Sequence, residues 1–169
     1  MNWAHVHLML GHLPVVGTIF GVLLLLLALL RKSEELKRAS LGIFVLTALL
    51  AQPVYFTGEP AEKVIEHLPD VTESLIEEHE DAALFALLMA GVAGIVALAG
   101  LILFRRAGRL PGWIVGAALV LSLATSGLMG WTANRGGQIR HTEIRADFKA
   151  PAETETEGKQ KTWKEGNHG

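Results

Sequence analysis

Residues Leu13 to Leu30 read LPVVGTIFGVLLLLLALL, with no charge along the run. Three more apolar stretches follow, Leu41 to Phe56, Ala82 to Phe104 and Trp113 to Thr132, set apart by polar segments. Each is long enough, or nearly so, to cross about 30 Å of hydrocarbon as a helix. Inside hydrocarbon the backbone N–H and C=O groups must find partners within the span, which makes helix the form of each run. The pattern therefore predicts an all-α protein: a four-transmembrane-helix up-down bundle over residues 1–149, followed by a polar, extended C-terminal tail over 150–169. From Pro151 onward that tail reads PAETETEGKQKTWKEGNHG, too poor in apolar residues to build a core.

The polar connections carry pattern as well. In TGEPAEKVIEHLPD, Pro60 suits a first helical turn, and Ala61, Val64, Ile65 and Leu68 recur at helical spacing. This predicts a short amphipathic helix on the outer membrane surface between helices 2 and 3. After Pro69 a second helix, capped by Asp70 or Thr72, is expected to run on into the third span, with Leu75, His79, Ala83 and Ala86 on one face. Asn134, Arg135 and the Gly136-Gly137 pair are expected to stop the fourth helix. Gly17 and Gly21, Ala90 and Gly94, and Ser122, Ser126 and Gly130 form small-residue stripes that let helices approach closely in lipid.

Charge sets the orientation. Arg31 to Arg38 and Arg105 to Arg109 are basic, whereas residues 57–80 hold Lys63 alone against eight acidic side chains. Basic loops stay on the cytoplasmic side, so both termini and the 2-3 segment are expected to face outward from a bacterial inner membrane. The residues before Leu13 contain no Lys or Arg, so they lack a signal peptide's basic region, and the first run is expected to remain as a helix. A net charge of -2 gives no reason to expect a nucleic-acid partner. The absence of cysteine removes thiolate clusters, CxxCH haem attachment and disulfides, leaving His, carboxylate or Met to hold any metal.

Seven histidines occur, none in a basic loop. In an up-down bundle helices 1 and 3 lie diagonally, so His12 and His79 are expected to face each other across the axis near the outer leaflet. That arrangement would suit a bis-histidine haem b. His7 is five residues before His12, about 140° around a helix, so it needs another partner. His141 could supply one, giving a second haem or a smaller metal centre. Arg135 and Arg140 are candidates for haem propionates through charge-assisted hydrogen bonds, or equally for ion pairs with the acidic segment.

HLMLGHLP at the start, EEHEDAALFALL in the middle and GWTANRGGQIRHTEI near the end together resemble the landmarks of the bacterial membrane domain of unknown function 2231. The resemblance covers about residues 7–145 and singles out His7, His12, His79 and His141. It departs at Leu8, where that family usually has Pro, and at the spacing before His141. Members of that family fused to Rieske-type or cytochrome domains imply a redox setting.

The leading expectation is a membrane-bound b-type haem protein passing electrons at the outer, periplasmic face, an electron-transfer subunit rather than a stand-alone enzyme. One haem b, or two, would be the cofactor. A quinol, a cytochrome c or a Rieske-type protein would be the partner, alongside the lipid bilayer and other membrane subunits. Two alternatives stay open: a non-haem protein binding a single Zn, Cu or Fe ion through His and Glu, and a structural membrane subunit without cofactor.

Overall fold

The computed structural model describes residues 2–149. The tail predicted over 150–169, with His168, lies outside the described residues. Among the described residues the chain is all helix and turn: α1 (Trp3–Arg31), α2 (Glu34–Phe56), α3 (Gly58–Ile65), α4 (Glu73–Ala107), α5 (Gly112–Arg140) and a final 3-10 turn, Thr142–Ile144. Four helices are long and apolar enough to cross a membrane: α1, α2 continued by α3, α4 and α5. Large apolar side chains such as Phe20, Leu30, Ile95 and Val120 stand exposed on them, and a lipid bilayer is the environment that suits such faces.

α1 starts well before the apolar run because the Asn2 side chain caps it, accepting from the His5 N–H at 3.0 Å. Pro14 consequently sits inside the helix instead of in its first turn. The buried stripe of α1 runs through Pro14, Thr18, Gly21 and Leu25. Carried back seven residues, the same stripe reaches His7.

α1 packs on α2, α2 on α4 and α4 on α5, with lighter contacts from α1 to α5 and α3. Small residues set these distances. The face that α4 buries consists of Ala82, Ala86, Ala90, Ala93, Gly94, Ala97 and Gly100, preceded by Ile76. A Cβ at Gly94 would lie 2.5 Å from the Ala48 Cβ, so α2 and α4 touch almost backbone to backbone. Towards the basic loops a core forms around Leu25, Leu41, Phe44 and Ala118, and towards the other end a smaller one forms around Ala51, Ala86, Ala90 and Met129.

The expected stop at Gly136-Gly137 does not occur: α5 continues through both glycines to Arg140. Each makes room for a neighbour, since added Cβ atoms would lie 2.9 Å from His79 Cε1 and 3.3 Å from Ile144 Cδ1. A short helix, α3, follows α2 directly, with Ala61 buried.

Gly94→Ala should lower the thermal midpoint of the reconstituted protein by an amount equivalent to about 1–3 kcal/mol, because Ala48 offers no flexible tip to move aside. Gly91→Ala, with nothing within 4 Å of the new Cβ, should leave it unchanged. Circular-dichroism melts of both variants in the same lipid would check the pair.

Candidate functional site

The imidazole facing His79 is that of His7. Their ring centroids are 6.3 Å apart and their planes stand at 86°. This corrects the expected meeting of His12 with His79. α1 is already helical at Trp3, so residues 7 and 12 lie about 140° apart on one continuous helix. His7 continues the buried stripe, whereas His12 is exposed and donates from Nδ1 to the Leu8 carbonyl of its own helix at 2.7 Å.

Four helix ends build the His7–His79 site. His7 Nδ1 lies 3.1 Å from the Val54 carbonyl and 3.0 Å from Thr57 Oγ1. A carbonyl only accepts, so Nδ1 carries the proton. The Thr57 hydroxyl donates to the same Val54 oxygen at 2.7 Å, which leaves its lone pairs free for the imidazole N–H. His79 Nδ1 likewise donates to the Thr132 carbonyl at 3.1 Å. A neutral ring bonded this way is the Nδ1–H tautomer, with Nε2 left as the lone-pair nitrogen. No hydrogen bond engages either Nε2 among the described residues.

Gly136 is the seat of the His79 ring: a Cβ there would come within 2.9 Å of Cε1 and 3.1 Å of Nδ1. One residue before each of these two, Arg135 and Glu78 form an ion pair that clips α5 to α4 at the level of the ring. The Arg135 guanidinium also lies 5.9 Å from the centre of the Trp131 ring. Arg135 therefore takes its ion-pair role, and Arg140 is exposed, with no ion pair among the described residues.

His141 lies past the end of α5, exposed, with Nδ1 2.9 Å from Glu143 Oε1. The polar partners of His7 come from the end of α2 and that of His141 is Glu143, so no hydrogen bond joins the two residues expected to form a second centre. The Glu143 backbone N–H, and next His141, hold the Glu143 carboxyl below the usual carboxylate range. Among the described residues no three His, Asp or Glu side chains converge on a point that could hold a metal ion.

Sequence reasoning reached His7 and His79 separately but missed Thr57, the two backbone carbonyls and Gly136. The clue to Gly136 was its place in NRGGQIR, read there as a helix stop.

Gly136→Ala should push the His79 ring off Thr132 and destabilise the protein by about 1–3 kcal/mol, as overpacking does. It should also erase the Nδ1–H signature of His79 in imidazole 15N spectra. At the exposed end the lowered Glu143 value fixes the sign of the pH dependence. The His141–Glu143 contact should be present at neutral pH and lost as the pH falls through that lowered value, a change readable in the His141 ring shifts.

Residues 11–139 match the family model described as Domain of unknown function (DUF389). No curated protein and no solved structure matches the chain. The match overturns the resemblance to domain of unknown function 2231, which rested on histidines and glycines in three short segments, whereas the matched region spans all four long helices. With that resemblance goes the implied fusion to Rieske-type or cytochrome domains. The chain belongs to the DUF389 family.

Proposed function

We propose that the protein is a membrane-bound b-type haem protein that transfers electrons at the end where His7 and His79 meet, and that these two residues would hold the haem. The observation that carries this reading is the pair itself, two imidazoles from separate helices with each Nδ1 tied to a backbone carbonyl. Imidazole ligands are commonly held this way, and the bond fixes ring orientation and makes Nε2 a better donor.

With the two Nε2 atoms turned towards each other, a metal–nitrogen bond of about 2 Å on each side plus the two ring radii would span about 6 Å between centroids, and the rings stand 6.3 Å apart. Two imidazoles under-fill a bare zinc ion, which takes at least three protein ligands, and no third His, Asp or Glu converges among the described residues. Two imidazoles would be enough to hold a haem, which brings its own ligands to the iron. Bound there, haem would supply one-electron chemistry. The chain's own part is orientation: Val54, Thr57 and Thr132 hold the two rings, and Gly136 leaves His79 its place. Arg140, exposed and without an ion pair among the described residues, would be the partner for a propionate.

In an up-and-down path the histidine end holds α3, the start of α1 and the end of α5, and the bias of Lys and Arg supports a position for that end outside the cytoplasm. Donor and acceptor would then meet the protein on one side, a quinol from the adjoining leaflet or an outer-side cytochrome serving as one of them, with other membrane subunits around it.

Purified protein should show a haem alpha band in the reduced-minus-oxidised spectrum. His7→Ala and His79→Ala should each abolish it, while His12→Ala and His141→Ala keep it. Near-perpendicular ring planes predict a strongly anisotropic low-spin EPR signal from the oxidised form. Protein without extractable haem, or a band surviving in the His7 or His79 variant, would refute the assignment.

A further inference from the structure

The opposite end of the molecule carries a separate feature. Arg31, Lys32 and Arg38 come from the α1-α2 turn and the start of α2, and Arg105, Arg106 and Arg109 from the end of α4 and the loop after it. All six are exposed and none has an ion pair among the described residues. Acidic residues are scarce there: residues 1–58 contain only Glu34 and Glu35, and residues 82–142 contain none. Glu34 is already engaged, with Oε1 2.6 Å from Lys37 Nζ and Oε2 accepting from the Leu110 N–H at 3.0 Å.

That second bond also makes the two basic segments one surface. The Glu34 side chain belongs to the start of α2 and the Leu110 amide to the α4-α5 loop, so the carboxylate ties the two connections together. The Arg38 guanidinium lies 4.6 Å from the centre of the Phe104 ring, bridging them again. Helix dipoles account for bases in the last turns of α1 and α4, but not for Arg38 near the start of α2.

Beside these cations the surface turns apolar within about a helical turn. Leu30 is 82% exposed and Trp113 71% exposed, with Ile102 and Leu103 also exposed. Guanidinium groups above an apolar collar match a phospholipid, with phosphate against the bases and acyl chains along the collar. A free phosphate would have no use for the collar.

We propose that this end is a binding surface for anionic phospholipid, formed jointly by the α1-α2 and α4-α5 connections. It takes lipid by headgroup charge, independently of any cofactor at the histidine end.

The test is native mass spectrometry of the full chain released from bilayers of mixed phosphatidylcholine and phosphatidylglycerol. Phosphatidylglycerol should be retained in preference. Arg105→Gln with Arg106→Gln should reduce the preference by about fivefold per charge removed, the factor set by one basic residue near an anionic surface. Should that variant fail to fold, Arg31→Gln with Lys32→Gln makes the same test from the other connection, and high salt should weaken the preference of the unaltered protein. Equal retention of the two lipids, a preference untouched by these charge removals or by salt, or displacement of the lipid by inorganic phosphate would overturn the proposal.

Discussion

Helices in a bilayer gain no hydrophobic free energy by meeting, because lipid tails are as apolar as leucine. What remains is close packing, in which each pair of atoms contributes little and the sum matters. The architecture follows from where this chain omits side-chain bulk. α4 presents mainly alanine and glycine to α2 and α5, and Gly94 opposite Ala48 brings two backbones together. Several buried hydroxyls are compatible with this spacing because they bond to carbonyls of their own helices. Thr18 donates to the Pro14 carbonyl at 2.7 Å and Thr125 to the Leu121 carbonyl at 2.8 Å. These two hydroxyls, with Thr47 and Ser122, help to line a cavity of about 10 Å³, scarcely room for one water.

The same rule of close approach reaches the histidine pair. His79 lies against the α5 backbone because Gly136 has no Cβ, and there its Nδ1–H finds the Thr132 carbonyl. The four long helices were legible in the sequence because length and apolarity are local properties. The choice between His7 and His12 was not, because it depended on where α1 begins. Pro14 looked like a first-turn residue, while the capping Asn2 lay upstream of the apolar run. Once Asn2 sets the start, the stripe of Leu25, Gly21, Thr18 and Pro14 leads back to His7 and leaves His12 on the outer face.

Other misreadings have the same origin. A glycine pair is a helix stop in isolation, yet here tertiary contact with His79 and Ile144 uses the missing side chains and the helix runs on. His141 looked like a ligand by type and position, but the chain leaves α5 just there and turns its ring to Glu143. Family membership misled for a different reason. Three short motifs share residue types with many membrane proteins, whereas the DUF389 match draws on the sequence of residues 11–139.

All three carbonyl and hydroxyl partners of the two Nδ1 atoms lie on α2 or α5 or at their margins, and two of the three are main-chain atoms. Side chains at positions 54 and 132 can therefore vary without removing those bonds, whereas a shift of α2 or α5 as a rigid body would remove them. The spacing of these helices is fixed by contacts well away from the rings, at Ala48 against Gly94 and along the alanine face of α4. A substitution in that distant interface thus acts on the imidazoles through backbone position. The site consequently tolerates change in the side chains at positions 54 and 132, though not a Cβ at Gly136, and responds to packing change further off.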